Sequence, residues 1–441
     1  MRNIEEGAPD QAYHPCHSIR SGCSPLNCHA LTDSVKGVSR NRWVEKGKPM
    51  RILFFTRYIY LDGTTSHIIG LGKGLTELGH TVAVAAEDRL AHAPSALGPA
   101  VRAQFSAANI VTYEVAYAGK LGVRYAPKAF RTALKLQQLV REFRPDIIHV
   151  HWRSTSPYAA LIRTLTRIPF VSTLHAETIP AGRIMRHLSF WGDRAIAISA
   201  ETEDTLLTDF GVEHQRITRV LHGVDGTRFR PPSEAERGAA RASYSLPADA
   251  FVVSIVARVT REKGQHLLLK ALAKVRERVP CAVALIAGHG DSLTDLSELA
   301  RKLGIDEAVR FVGHVDPVSA YWASDLSALP STHEGFPYSV IESMMCAVPV
   351  IRTPGGGYRD QIIDGEDGVI IPFDDHEALA GAIIAFADDP ATLKAVSDAA
   401  HAAAQAKFSL TAMAERVEAI YAGVLSSRSR CRLPAGPPQA S

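Results

Sequence analysis

The chain lacks several features that would place it outside the cytoplasm or on nucleic acid. No apolar run reaches the roughly 18–20 residues that a membrane span requires. Residues 1–48 contain no apolar segment of the kind found in a secretory signal peptide. Six cysteines in 441 residues suggest no disulfide framework. The net charge of +3 gives no reason to expect nucleic-acid binding. We therefore expect a cytoplasmic protein.

The amino-terminal segment is polar and shows no apolar periodicity. Cys16, Cys23 and Cys28 lie there beside histidines, but their spacing matches no standard zinc ligand pattern. We interpret residues 1–48 as a disordered extension that carries free thiols. The apolar run that follows Met50 has the character of a first buried strand, so Met50 is an alternative start.

Hydrophobic residues make up 46% of the chain, enough for sizeable cores. From Met50 onward, short apolar runs alternate with helical patterns, and the alternation resumes after a polar stretch. This order predicts an α/β protein with two Rossmann-like, doubly wound domains. The expected segments are an N-terminal domain at 49–222, a linker at 223–248, a C-terminal domain at 249–407, a helix at 408–425 packing back on the first domain, and a disordered tail at 426–441.

Two glutamates stand eight positions apart in a predicted strand–loop–helix unit. Glu334 lies in the loop and Glu342 on the helix. Because open α/β sheets bind ligands at the carboxyl ends of their strands, this unit is a candidate site. An alternative for Glu342 is purely structural, since Ser339 three residues earlier could form a capping box with it.

This pair resembles the E-x7-E signature of the retaining glycosyltransferases of family 4, which have the two-domain GT-B fold. The resemblance implies that Glu334 faces the donor sugar and that Glu342 binds the ribose of the nucleotide. It also implies that Gly335, Phe336 and Pro337, within the same motif, contribute to the nucleotide-sugar site. Similar motifs continue through about residues 50–425.

Two cations follow the first strand of the second domain. Arg258 and Lys263 come at its end, directly before a helix that begins after Gly264. Positive charge beside a helix N-terminus suits the developing charge of a diphosphate leaving group. Family 4 carries an Arg and a Lys-Gly at this place, so the resemblance assigns both residues to the diphosphate.

The first domain supplies further strand-end residues. The loop at Gly63 is similar to a glycine-rich loop of the family, with Asp62 in place of one glycine, and Gly63 would allow close approach of donor or acceptor. His175 ends a strand where the family has an active-site histidine, which implies a contact to the donor sugar. His149 and His151 end the preceding strand, and either could instead be structural.

The resemblance implies transfer of a hexose, with retention, from a UDP- or GDP-sugar to a glycan, lipid-linked or small-molecule acceptor. It implies no essential metal or other cofactor, and the chain contains no Asp-x-Asp of the kind used by metal-dependent GT-A enzymes. Two alternatives remain open: a GT-B nucleotide-sugar epimerase and a non-catalytic nucleotide-sugar-binding protein.

A basic segment of the first domain suggests contact with an anionic membrane at the inner leaflet. Seven cations fall within 25 residues whose one acid is Glu142: Lys120, Arg124, Lys128, Arg131, Lys135, Arg141 and Arg144. Spacings of three and four place some of them on one helix face. We expect Leu134, Leu136, Leu139 and Val140 to lie on the opposite side.

Overall fold

The structure is a computed structural model that describes residues 48–60, 62–90, 97–117, 125–176 and 182–430. The described residues from Pro49 onward belong to one compact unit. The amino-terminal cysteines, Lys120 and Arg124 lie outside the described residues. No helix in the described part is long and apolar enough to cross a membrane.

The first sheet is parallel and has the strand order β3-β2-β1-β4-β5-β6-β7. Its strands are β1 Arg51–Ile59, β2 Thr81–Asp88, β3 Val111–Glu114, β4 Ile147–Val150, β5 Phe170–Leu174, β6 Arg194–Ala197 and β7 Ile217–Arg219. Its helices are α1 Gly63–Glu77, α2 Leu97–Ala107, α3 Ala126–Phe143, α4 Ser156–Thr166, α5 Arg183–Leu188 and α6 Ala200–Thr208.

Strand β1 lies inside the first sheet and is buried on both of its faces. Ile52 and Phe54 enter one hydrophobic core, and Leu53 and Phe55 enter the core on the other face. A strand with two buried faces is apolar without alternation, which is typical of parallel sheets.

The second sheet has the order β10-β9-β8-β11-β12-β13 and is also parallel. Its strands are β8 Phe251–Val256, β9 Ala282–Ala287, β10 Val309–Gly313, β11 Leu326–Leu329, β12 Val350–Arg352 and β13 Val369–Ile370. The helices are α7 Glu234–Ser243, α8 Gln265–Arg278, α9 Leu293–Lys302, α10 Pro317–Ala323, α11 Tyr338–Met345, α12 Tyr358–Gln361, α13 His376–Asp388, α14 Pro390–Lys407 and α15 Leu410–Arg430. The predicted fold class, two doubly wound α/β domains, is confirmed.

The last helix, α15, packs against α1 of the first domain. Gly74 allows this approach, because a Cβ at that position would lie 2.7 Å from the Cβ of Ala414. Val417, Tyr421 and Val424 then complete the first-domain core. The helix continues to Arg430, beyond the expected end at 425, and the hydroxyl of Ser426 donates to a helical carbonyl there.

The basic helix α3 differs in one respect from the sequence expectation. Leu136, Leu139 and Val140 are buried against the sheet, as an amphipathic helix requires. Leu134, however, is 48% exposed and Phe130 is 64% exposed, four residues apart on the solvent side. The exposed face therefore combines apolar and basic side chains.

Candidate functional site

The centre of the candidate site is an ion pair that joins two loops of the second domain. Lys263 Nζ lies 2.7 Å from Glu334 Oε1, and the Ser331 hydroxyl donates to the same oxygen over 2.7 Å. The side chains of Lys263 and Glu334 are only 14% and 8% exposed. The structure therefore brings together two residues that the sequence assigned to separate motifs.

Gly264 makes this meeting of loops possible. Its φ of +76° is in the left-handed region, and a Cβ would lie 2.2 Å from the carbonyl oxygen of Pro330 at the end of β11. Only glycine satisfies both conditions without displacing the backbone. Lys263, one residue earlier, is consequently held beside the loop that carries Glu334.

Arg258 also lies at the end of β8, but in a more open position. Its side chain is 63% exposed and pairs with Glu262 at 3.1 Å. Its charge opposes the rise that burial causes in the pKa of Asp62, in the first domain. Arg258 therefore lies near the first domain as well as near its own loop.

Glu342 lies on α11 with its carboxyl group buried. Burial raises the pKa of its carboxyl to about 7, and the Tyr321 hydroxyl lies 3.4 Å from its Oε2. The capping-box interpretation is wrong, because Pro337 is the N-cap of α11 and Ser339 lies within the helix. The helix end thus gives no structural reason for a carboxylate at this position.

The loop before α11 brings the two domains into contact. A Cβ on Gly335 would lie 2.4 Å from the carbonyl oxygen of His175, so the absence of a side chain permits the contact. Phe336 is buried, with its ring 5.2 Å from that of His222. Gly63 begins α1, and a Cβ there would meet Tyr338 at an ordinary 3.9 Å.

Histidines from separate first-domain elements and the domain junction converge here. The Nδ1 of His151 and the Nε2 of His175 are 3.2 Å apart, and the His67 ring lies 4.8 Å from that of His175 and 4.5 Å from that of His222. Burial lowers the pKa of each of these histidines, that of His175 to about 3. The cluster is therefore neutral at physiological pH.

The hydrogen bonds divide the histidines into two groups. His149 is satisfied by Tyr421 at 2.6 Å and Thr173 at 2.7 Å, which favours its structural alternative. The Nε2 atoms of His67 and His151 and both ring nitrogens of His222 are buried without a partner. Buried polar atoms are normally satisfied, so these nitrogens are suited to the hydroxyls of a ligand.

Sequence reasoning identified His175 but not the convergence of His67 and His222 on it. Nitrogen atoms of His67, His151 and His175 also lie within 4.8 Å of one another, close enough to hold a metal ion. The sequence contained one indication of the cluster, because a histidine stands at the end of each of several predicted strands. The partners of those strand ends depend on the tertiary structure.

The short helix α12, which follows β12, connects the second domain to α6 of the first. Arg359 pairs with Glu201 at 2.9 Å and Asp204 at 2.6 Å, and Asp360 accepts from the Ala200 amide at 2.6 Å. These contacts hold the two domains in the arrangement in which the histidines face the second domain.

Comparison with known proteins gives the same assignment to each half of the chain. Residues 61–228 match the family description "Glycosyltransferase Family 4", and residues 236–403 match "Glycosyl transferases group 1".

Two relatives and one solved structure illustrate the similarity. D-inositol 3-phosphate glycosyltransferase 1 of Catenulispora acidiphila is 30% identical over 63% of this chain and 72% of its own length. Glycogen synthase of Mycobacterium tuberculosis is 28% identical over 82% of this chain and 91% of its own length. The crystal structure of Anabaena HepE with UDP-glucose has a TM-score of 0.72 at 22% identity, covering 86% of this chain and 100% of that one.

The HepE similarity shows the fold, and the sequence matches, together with the predicted motifs, show the family. The chain belongs to glycosyltransferase family 4 and has the GT-B fold.

Proposed function

We propose that this glycosyltransferase moves a hexose from a UDP- or GDP-sugar to an acceptor in the first domain, with retention at the anomeric carbon. The observation that carries the proposal is the buried pair of Lys263 and Glu334 at the same edge as Arg258. Cations beside a carboxylate suit a reaction in which a diphosphate departs while positive charge develops on the sugar ring.

Each group has a defined part in this proposal. Lys263 and Arg258 stabilise the negative charge on the departing diphosphate, and Glu334 orients the sugar and stabilises its developing positive charge. The anomeric carbon–oxygen bond to the phosphate breaks as a bond to the acceptor oxygen forms on the same face. The acceptor proton passes to the departing phosphate oxygen, so no base from the protein is required.

The sugar and the ribose have separate partners. His175, neutral because burial lowers its pKa to about 3, exchanges hydrogen bonds with a sugar hydroxyl without adding charge. Glu342 binds the ribose hydroxyls, and its position on α11 beside Tyr321 supports that role. Gly63 and the Gly335–Pro337 loop border the same space.

The relatives suggest two acceptor classes for this chain, the end of a glucan and a phosphorylated cyclitol, as their printed names indicate. Lipid-linked acceptors are a third class. The exposed face of α3 supports contact with an anionic inner leaflet, because Phe130 and Leu134 lie among Lys128, Arg131 and Lys135.

The test is nucleotide release from a panel of UDP- and GDP-hexoses, with and without a cell-derived acceptor pool. Acceptor-dependent release, together with an unchanged anomeric configuration by NMR, is the expected result. Interconversion of the donor without acceptor would favour an epimerase, and binding without turnover would favour a non-catalytic protein. Lys263→Met serves as the control with strongly reduced turnover.

A further inference from the structure

The first domain contains a cluster of cations and aromatic rings that the proposed donor site does not use. We call it the arginine–aromatic cluster; it consists of Arg57, Tyr58, Tyr117, Trp152 and Arg153. The first two residues lie on β1, and the last two follow the neighbouring strand β4. Carboxyl ends of adjacent parallel strands meet at the ligand-binding edge of a sheet.

Arg57 lacks the partners that a half-buried arginine normally has. Its Nε is buried without a hydrogen-bond partner, and it forms no ion pair with any described residue. Its neighbours are the rings of Tyr58 and Tyr117, whose centroids lie 5.5 Å and 5.9 Å from its Cζ. A guanidinium nitrogen that is buried without a hydrogen-bond partner lowers the stability of the fold, and an anionic ligand would supply that partner.

Arg89 also lies beside the Tyr58 ring, but unlike Arg57 it has a carboxylate partner within the described part of the chain. It lies 4.8 Å from the Tyr58 ring centroid, but both its Nε and a terminal nitrogen contact Glu87 at 3.1 Å. The other carboxylate oxygen of Glu87 accepts from the Tyr117 amide. Glu87 is therefore occupied, and Arg57 is left without a carboxylate among the residues that the structure describes.

Arg153 adds a second cation that no carboxylate neutralises within the described residues. It donates to the Ser189 hydroxyl at 3.1 Å, and burial lowers its pKa. The charges of Arg57 and Arg153 both oppose the rise that burial causes in the pKa of Tyr117. Geometry also joins the two cations at Tyr117: Arg57 Cζ lies 5.9 Å from its ring centroid, and its hydroxyl donates over 2.6 Å to the carbonyl oxygen of Ser154, the residue after Arg153.

The aromatic rings give this region a surface for a sugar-like ring. The rings of Tyr58 and Trp152 lie 5.5 Å apart at an angle of 47°. Arg258 of the second domain is close enough to oppose the rise that burial causes in the pKa of Tyr58. Tyr58 therefore lies within electrostatic reach of one of the two cations proposed for the diphosphate.

We propose that the arginine–aromatic cluster binds a phosphate monoester on the acceptor, so that the acceptor is a phosphorylated monosaccharide or cyclitol. Two cations that pair with no described carboxylate match a phosphate dianion, and arginine pairs with phosphate through two parallel hydrogen bonds. This inference rests on the proposed transfer function, because it identifies the acceptor by its charge.

The test is calorimetric titration of the full chain saturated with whichever of UDP and GDP it binds. The probes are matched pairs, glucose 6-phosphate with glucose and inositol 3-phosphate with inositol. At least one phosphorylated probe should bind at least about tenfold more tightly than its neutral partner, since charge-assisted hydrogen bonds are the strong ones. Arg57→Gln and Arg153→Gln should each remove most of that preference.

Arg89→Gln is the matched control, since it removes a nearby cation that already has a carboxylate. It should leave the preference for phosphate unchanged, and thermal melting will verify that all variants fold. Equal affinity for phosphorylated and neutral probes would overturn the proposal, as would an equal loss in Arg89→Gln. The chain could instead bind only phosphatidylinositol phosphate micelles, through Arg57. That result would support the phosphate contact and overturn the proposal that the phosphorylated acceptor is a soluble molecule.

The affinity for UDP and GDP separates this proposal from the function on which it rests. If the wild-type chain fails to bind any nucleotide, the transferase function itself fails. Binding of UDP or GDP with no preference for phosphorylated probes would overturn only the acceptor assignment.

Discussion

Replacement of Lys263 by methionine should reduce both stability and turnover. At the 2.7 Å separation of Lys263 Nζ and Glu334 Oε1, the Coulomb attraction is about 6 kcal/mol at an effective dielectric constant of about 20. Desolvation of both ions offsets much of it, but removing one partner of a buried pair typically costs about 3–5 kcal/mol. We expect Lys263→Met to lower the free energy of unfolding by about 3 kcal/mol, at the low end of that range, because Glu334 keeps its hydrogen bond from Ser331.

Arg258→Met is the matched variant that separates catalysis from folding. Arg258 is 63% exposed, so its loss should leave the free energy of unfolding within about 0.5 kcal/mol of wild type. Each substitution should lower turnover at saturating donor by roughly 100-fold, since each removes a cation from the transition state. The assays are urea denaturation and nucleotide release.

A double variant tests the physical reason for the stability loss. If the cost arises from an unpaired carboxylate, Glu334→Gln added to Lys263→Met should restore part of the lost stability. Wild-type unfolding energy in Lys263→Met would refute the ion-pair reasoning, and near-normal turnover at saturating donor would refute the diphosphate assignment. A double variant less stable than Lys263→Met would show that a different interaction is lost.

Three other outcomes are expected. Because burial raises the pKa of Glu342 from 4.5 to about 7, the folded chain holds a proton there that the unfolded chain has released. The free energy of unfolding should therefore fall as pH rises from about 4.5 to 7. Glu342→Gln should lose this dependence and bind nucleotide more weakly. If urea denaturation gives the same pH profile for the wild type and Glu342→Gln, the burial argument is contradicted. In a flotation assay at low salt, the protein should bind anionic vesicles. The triple variant Lys128→Gln/Arg131→Gln/Lys135→Gln should float poorly, since each cation contributes about 1 kcal/mol to membrane binding. Equal flotation of wild type and variant would show that this face of α3 does not bind the membrane. A chain starting at Met50 should fold and keep full activity, and stoichiometric zinc in the full-length chain, lost on truncation, would reverse the interpretation of the amino-terminal cysteines.

Local pattern was sufficient for the elements on which the site is built. Helix α8 (Gln265–Arg278) begins directly after Gly264, as the sequence predicts, and its buried face repeats with the helical period. Loops that follow parallel strands must lie at one edge of a sheet, so Arg258, Lys263 and Glu334 could be assigned to that edge before any contact was known.

Sequence alone therefore determined the two α/β domains, the order of their elements and the loops that carry the polar residues. Tertiary structure alone decided which side chains meet: Lys263 with Glu334, and His67 with His175. Periodicity records which side of an element is buried, but not which distant element covers it. The pKa of Glu342 and the unpaired state of Arg57 depend on those distant neighbours, so no local pattern could show them.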